Sequence, residues 1–197
     1  MDAETKQETD QDKPIDRKTF LKQGLFMLMK PLANAIEGGV QKITPKAIRP
    51  PGAIDELEFI SKCTKCDLCI KACHQGVIKA ADESSGLGTG TPIIVPREAP
   101  CYLCDEMVCI SVCPTGALTP VTRREIKMGV AEIDTKSCIA HQGQVCDYCY
   151  NRCPFPDEAI YMEEKKKPVV VPEKCIGCGL CEYYCVTKTP SIRVVAA

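Results

Sequence analysis

The 197-residue sequence predicts an α+β chain built from one short unit used four times: a strand, a cysteine-bearing loop, a helical turn and a returning strand. Three observations carry this reading. The sixteen cysteines fall into four groups of four, namely Cys63, Cys66, Cys69, Cys73; Cys101, Cys104, Cys109, Cys113; Cys138, Cys146, Cys149, Cys153; and Cys175, Cys178, Cys181, Cys185. Every group closes with the same C-x3-C step. Short β-prone segments precede the last three groups (93–95, 130–133, 169–171), and others follow each group (76–78, 116–118, 158–160, 190–192).

The loops come first, because their spacing sets the chemistry. Two intervening residues let a tight turn aim successive thiols at one metal centre. The C-x2-C-x2-C-x3-C order of the first and fourth groups is the bacterial [4Fe–4S] ferredoxin run. The x3 step carries the fourth cysteine onto the next turn of a short helix, where it faces away from its own cube and serves a partner. Clusters then come in pairs, in ferredoxin-like modules of two repeats each. Pro114 and Pro154 follow Cys113 and Cys153 and end the helical turn, whereas His74 and Val186 stand at the equivalent places in the outer groups.

No cysteine is left over, and sixteen thiols satisfy four [4Fe–4S] clusters. Structural zinc uses separated C-x2-C knuckles around one tetrahedron, which four cysteines in one loop would crowd. A disulfide framework suits a small secreted domain, not regular x2 quartets. A radical-generating cluster needs C-x3-C-x2-C, and no x3 step here is followed by another x2 cysteine.

Composition agrees with a metal-held fold. Tryptophan is absent and aromatics make up only 5% of the chain, so the core is thin. Ligation must then supply folding free energy that apolar burial cannot, and the apoprotein is expected to be largely unfolded. A net charge of −1 lacks the basic excess of a nucleic-acid footprint.

Three regions follow along the chain. Residues 1–15 are polar, without apolar periodicity, and read as a disordered tail. Residues 16–48 form an amphipathic or signal-like segment: Leu21, Leu25, Leu28, Leu32 and Ile36 recur at helical spacing, Asp16 is a candidate N-cap and Pro31 a kink. Lys22, Lys30 and Glu37 interrupt it, so it is too short a run for a membrane span, although residues 16–40 suit peripheral contact with a membrane surface. Arg17-Lys18-Thr19-Phe20-Leu21-Lys22 also resembles a twin-arginine export signal with lysine in place of the second arginine. Two locations therefore stay open: cytoplasmic or peripheral on the inner membrane, and periplasmic through a degenerate signal.

Residues 49–197 are the four-cluster domain. Its linkers are rich in breakers. The stretch 84–92 matches neither phosphate-binding glycine pattern and reads as a flexible surface loop. Lys165-Lys166-Lys167 reads as a solvated turn. His74 and His141 are the only histidines; with every cluster supplied by cysteine, His141 is expected to hydrogen-bond a nearby backbone group or cluster sulfur. Tyr102, Tyr148, Tyr150, Tyr183 and Tyr184 flank ligands and read as cover that keeps water from the cubes.

The groups differ in detail. The second has x4 where the simple run has x2, and the third opens with x7. These insertions and the Cys-Pro endings set the middle groups apart, so like is expected to pair with like in a nested arrangement. Cys63, Cys66 and Cys69 then take Cys185; Cys175, Cys178 and Cys181 take Cys73; Cys101, Cys104 and Cys109 take Cys153; Cys138, Cys146 and Cys149 take Cys113. Sequential pairing, first with second and third with fourth, is the alternative, since short connections join neighbours.

Particular segments carry a family likeness. Arg49-Pro50-Pro51-Gly52-Ala53, the loop from Ser85-Gly86-Leu87 to Gly90-Thr91-Pro92, Cys101-x2-Cys104-x4-Cys109-x3-Cys113-Pro114-x-Gly116-Ala117-Leu118, Met128-Gly129, Cys138-x7-Cys146-Asp147-x-Cys149-Tyr150 and Cys175-x-Gly177-Cys178-Gly179-x-Cys181-Glu182 resemble the MauM/NapG family of ferredoxin-type proteins. The likeness covers residues 49–195 or so. It implies a non-catalytic protein with four [4Fe–4S] clusters that relays electrons between redox partners, a quinol-oxidising membrane protein and a reductase. It also implies a twin-arginine signal, from which Lys18 departs. Two rival functions remain: a fixed iron–sulfur subunit of a molybdopterin or membrane quinone oxidoreductase, and a maturation factor for a redox enzyme.

Overall fold

The computed structural model describes residues 46–197 apart from Lys165. The polar tail, the amphipathic or signal-like segment up to residue 45, and Lys165 of the lysine turn lie outside the described residues.

The two halves of this region fold by the same rule. In the first, Asp55 caps helix α1 (Glu56–Lys62) by accepting the Leu57 N–H, and Glu58 and Lys62 pair one turn apart on its exposed side. Phe59 is the residue this helix buries, and the helix delivers the chain to the first cysteine loop. Next come α2 (Leu68–Ala72), β1 (Ile78–Ala80), a 3-10 turn (Glu83–Gly88), β2 (Pro92–Ile94) and α3 (Val108–Ser111). β1 and β2 pair antiparallel with Ile78 opposite Ile94. The outer ends of this half meet in a minimal ladder, where Ala53 bridges Leu118 and Thr119 donates its N–H to the Gly52 carbonyl. Gly52 is required there: its φ is +78°, and a Cβ would lie 2.2 Å from the Thr119 oxygen.

The second half comprises β3 (Gly129–Ile133), α4 (Tyr148–Asn151), β4 (Ile160–Glu163), β5 (Lys167–Val170), α5 (Leu180–Tyr183) and β6 (Ile192–Ala196). Its inner strands β4 and β5 form a hairpin, and its outer strands β3 and β6 pair from Gly129 opposite Ala196 to Ile133 opposite Ile192. Each half thus closes a hairpin between its two cysteine groups and an outer pair around both.

That strand pairing corrects the nested expectation. The strand after the first group returns to the strand before the second, and the outer ladder ties 53 to 118, so the first two groups share one module. Groups three and four share the other. The physical reason is the economy of short antiparallel connections, which outweighed the likeness of the middle groups to each other. The β-prone segments were correctly located, but strands after a group start later than the sequence suggests, and 116–118 contributes a bridge where a strand was expected.

Stretch 84–92 is not the free surface loop expected of it. Asp82 caps its 3-10 turn, and Thr91 at its far end is fully buried. Arg49, itself only 5% exposed, donates to the Thr91 hydroxyl and the Pro92 carbonyl. The same guanidinium grips both carboxylate oxygens of Glu56 at 2.9 and 2.6 Å and lies 4.8 Å over the Phe59 ring. One buried cation therefore staples the entry of the module, α1 and the loop before β2.

The apolar core is divided accordingly. Phe59, Cys69, Ile110, Ala117 and Leu118 pack in the first module, and Ala131, Cys149, Ile160 and Ile192 in the second. A third cluster, in which Val77, Ile78, Ile94, Cys101 and Leu103 meet Ile126, Met128, Ile176 and Cys178, joins the modules. No helix among the described residues is long and apolar enough to cross a membrane.

Candidate metal centres

Four cavities open beside the helical turns, and four cysteines line each. Cys63, Cys66, Cys69 and Cys113 line one of about 380 Å³. Cys101, Cys104, Cys109 and Cys73 line one of about 470 Å³. Cys138, Cys146, Cys149 and Cys185 line one of about 370 Å³, and Cys175, Cys178, Cys181 and Cys153 one of about 320 Å³. The first three cysteines of each run line one cavity, and the fourth crosses to a neighbouring one. The neighbour differs from the nested expectation: Cys113, not Cys185, joins Cys63, Cys66 and Cys69; Cys73, not Cys153, joins the second run; Cys185, not Cys113, joins the third; Cys153, not Cys73, joins the fourth.

Local backbone explains the crossing. α2 carries Cys69 into the first cavity and ends at Ala72, and Cys73 leaves helical geometry at φ −71°, ψ 103°, turning its thiol into the second. α3 returns the exchange with Cys109 and Cys113, and α4 and α5 do the same in the second module. Residues with positive φ, Lys65 and Asp67 in the first loop and Leu103 and Met107 in the second, fold the loops tightly enough for three thiols to face one point.

Burial and neighbouring thiols act together on the ligand sulfurs. Burial pushes Cys69 up to about 11, with Cys63 and Cys66 adding to the rise. Burial likewise pushes Cys101 and Cys109 to about 11, and Cys149 and Cys178 to about 12. Cys181 is raised well above its ordinary value for the same reason. Two cysteines go the other way. Burial opposes ionisation of Cys113, yet N–H groups of Leu118, Thr115 and Ala117 and the Thr115 hydroxyl outweigh it and hold the thiol below its ordinary value. Cys185 is lowered in the same manner, against burial, by the Thr187 hydroxyl and the N–H groups of Thr187, Ser191 and Ile192.

This donor set fits [4Fe–4S] clusters. Four soft sulfur ligands per cavity are the complement of one cube. Backbone N–H groups already point at sulfurs that would carry charge: Leu118 at Cys113 (3.5 Å), Ser191 at Cys185 (3.4 Å) and Ala131 at Cys175 (3.4 Å). The cavity walls are apolar, including Phe59, Leu103, Ile133 and Phe155.

The remaining candidates take definite places. His141 meets the Pro168 carbonyl at 3.0 Å, the backbone partner expected of it, and His74 lines the second cavity on its exposed side. Tyr102 and Tyr148 line cavities but stay 41% and 50% exposed, so they form rims more than seals. Tyr150 turns its hydroxyl to Asp157, and Tyr183 stands edge-on to Tyr184. Thr115 and Thr187 were missed by sequence reasoning; the signal was the Cys-x-Thr step that recurs after the fourth cysteine of the second and fourth groups.

Fold and sulfur geometry thus define a ferredoxin-type iron–sulfur protein. Residues 62–117 match the 4Fe-4S dicluster domain family, a span that holds the first two groups together, and residues 168–185 match the 4Fe-4S binding domain family. The chain is 38% identical over 200 residues to the ferredoxin-type protein NapG of Escherichia coli (strain K12), covering 91% of this chain and 85% of that one. It is 40% identical over 164 residues to the methylamine utilization ferredoxin-type protein MauM of Methylorubrum extorquens, covering 78% and 74%. MauM of Methylophilus methylotrophus is 34% identical over 191 residues, covering 92% and 84%. The chain belongs to the NapG/MauM family of ferredoxin-type electron-transfer proteins.

Proposed function

We propose that the chain relays single electrons through four [4Fe–4S] clusters, between a quinol-linked membrane donor and an oxidoreductase acceptor. The ligands are the four cysteine sets that line the four cavities, each made of three thiols from one run and the last thiol of its module partner. That four-by-four arrangement is the observation that carries the reading. When bound, the clusters supply reversible one-electron exchange. The chain's own residues bind them, turn N–H and hydroxyl groups onto their sulfurs, and surround them with apolar side chains that limit water. No residue is assigned as an acid, base or nucleophile.

Anaerobic iron and acid-labile sulfide analysis, with EPR of the dithionite-reduced protein, tests this. The expected result is about sixteen irons per chain with interacting reduced cubes. Far fewer irons, or zinc in their place, overturns it.

A further inference from the structure

The core cluster that joins the two modules runs between cluster sites. The Cys101 N–H donates to the Cys178 carbonyl at 2.9 Å, so a ligand-bearing residue of the second cavity is hydrogen-bonded to one of the fourth. Both cysteines are buried in the core cluster that joins the modules. Within the second module the Met128 N–H holds the same loop through the Ile176 carbonyl at 3.0 Å.

Close backbone approach makes this seam tight: a Cβ on Gly179 would fall 2.4 Å from that of Pro96. Arg97, four residues before Cys101, clasps the seam: its guanidinium donates to the carbonyls of Glu182, Tyr183 and Cys185 at 3.1, 3.3 and 3.3 Å. These carbonyls close α5, the turn that carries Cys181 and leads to Cys185.

The other neighbours follow from the shared helices. α2 and α3 each connect the first and second cavities, and α4 and α5 each connect the third and fourth. The outer cavities also bear surface marks. Cys66 in the first is the only exposed cysteine of the sixteen, and Val145, beside Cys146 of the third, is completely exposed with Tyr148 and Val186 half-exposed at the same rim.

We infer that the four cluster sites stand in single file in the order first, second, fourth, third, joined between modules at Cys101 and Cys178, with Arg97 as the positioning residue of that joint. Chain order is thus reversed in the second half, and the site nearest the C-terminal run is interior. The inference rests on the four-cluster reading. Electrons enter and leave at the Cys66 edge and the Cys146 edge, and the Cys101–Cys178 contact is the single crossing.

The test uses the anaerobic holoprotein and two ligand variants, Cys146→Ala in the third site and Cys181→Ala in the fourth. Iron is counted first, and pulsed EPR then reads magnetic interaction between reduced clusters. In single file, losing the third site leaves the interaction between modules as in the parent, and losing the fourth abolishes it. The opposite pattern overturns the order. Arg97→Ala retains all sixteen cysteines and carries the test should a ligand variant fail to fold. With iron unchanged, deuterium uptake at the Cys101 amide is expected to rise about tenfold or more and the inter-module interaction to weaken. Parent-like uptake and interaction in this variant overturn the role of Arg97. Far fewer than about sixteen irons in the parent is instead a failure of the four-cluster reading, so the two failures are told apart.

Discussion

Replacing Thr187 by valine should lower the reduction potential of one cluster and leave the others alone. The Thr187 hydroxyl lies 3.0 Å from the Cys185 sulfur, which also accepts the Ser191 N–H at 3.4 Å. A donor on a ligand sulfur stabilises the more negative, reduced cube, so its removal disfavours reduction. One hydrogen bond is worth about 0.5–1.5 kcal/mol net, which for a one-electron couple at about 59 mV per tenfold is a drop of about 20–60 mV. The equivalent Thr115 hydroxyl stands 3.7 Å from Cys113, so Thr115→Val should shift its cluster by less. Thr187→Ser, which keeps the hydroxyl, should leave the potential near that of the parent. EPR-monitored redox titration reads all three. The reasoning is refuted if Thr187→Val raises the potential, leaves it unmoved, or shifts it less than Thr115→Val does.

Other perturbations have equally definite outcomes. Arg49→Ala strands Glu56 and leaves the buried Thr91 hydroxyl without its donor, and because the Glu56 side chain keeps 22% exposure the cost should sit near the low end for a broken buried pair, about 3 kcal/mol. Urea titration followed by visible cluster absorbance should show it, with Arg49→Lys recovering part because the charge survives and the two-pronged grip does not. Gly177→Ala puts a methyl on the Gly129 backbone at a position with φ +73°, so the fourth site should fail to assemble and iron should fall by about four per chain. In acid, Asp82, Glu125, Asp134 and Glu158 all matter. Their carboxyls are held below ordinary values, chiefly by the Ser84 hydroxyl, the Thr122 N–H, the Ser137 hydroxyl and the Arg124 guanidinium respectively. Folded values below unfolded ones stabilise fully above about pH 4 and are lost as pH falls through the folded values, so a pH series should show cluster loss accelerating there, and Asp134→Asn should blunt that dependence. Stripping iron with a chelator should abolish most far-UV circular dichroism, since ligation holds this thin core together.

The sequence made the ligands legible and left their partnership ambiguous, for a physical reason. Three thiols in one run converge because a tight loop has few ways to fold, which is local information. The destination of the fourth thiol depends on which strand lies next to which, a long-range property that insertion lengths do not encode. The x4 and x7 loops marked elaboration within a cavity and were misread as a marker of pairing. The same limit hid Arg49. Its segment and the Thr91-Pro92 segment were visible as separate motifs, but only the fold shows one guanidinium bonded to both. Stretch 84–92 looked free because serine, glycine and threonine favour turns, and the cation that anchors it lies more than thirty residues away.

The four sites are of two physical kinds, and the division follows position in the file more than position in the sequence. The second and fourth cavities, at the seam, contain Cys101, Cys109, Cys178 and Cys181, all pushed up by burial. The first and third also hold a thiol pushed up by burial, Cys69 and Cys149, but they alone contain Cys113 and Cys185, the two thiols that hydrogen bonds bring down, and they carry Cys66 and Val145 at their rims. Drier surroundings disfavour the added charge of a reduced cube, and hydrogen-bonded, wetter surroundings favour it. The outer clusters should therefore reduce at higher potentials than the inner pair, so that an electron crosses the seam uphill and rests at either end. Stepwise reductive titration should reveal the order: signals weakened by Thr187→Val should be among the first to form, and signals altered by Arg97→Ala among the last. Early reduction of the seam clusters would mean that burial does not set the potentials here, and that charge from the flanking side chains outweighs it.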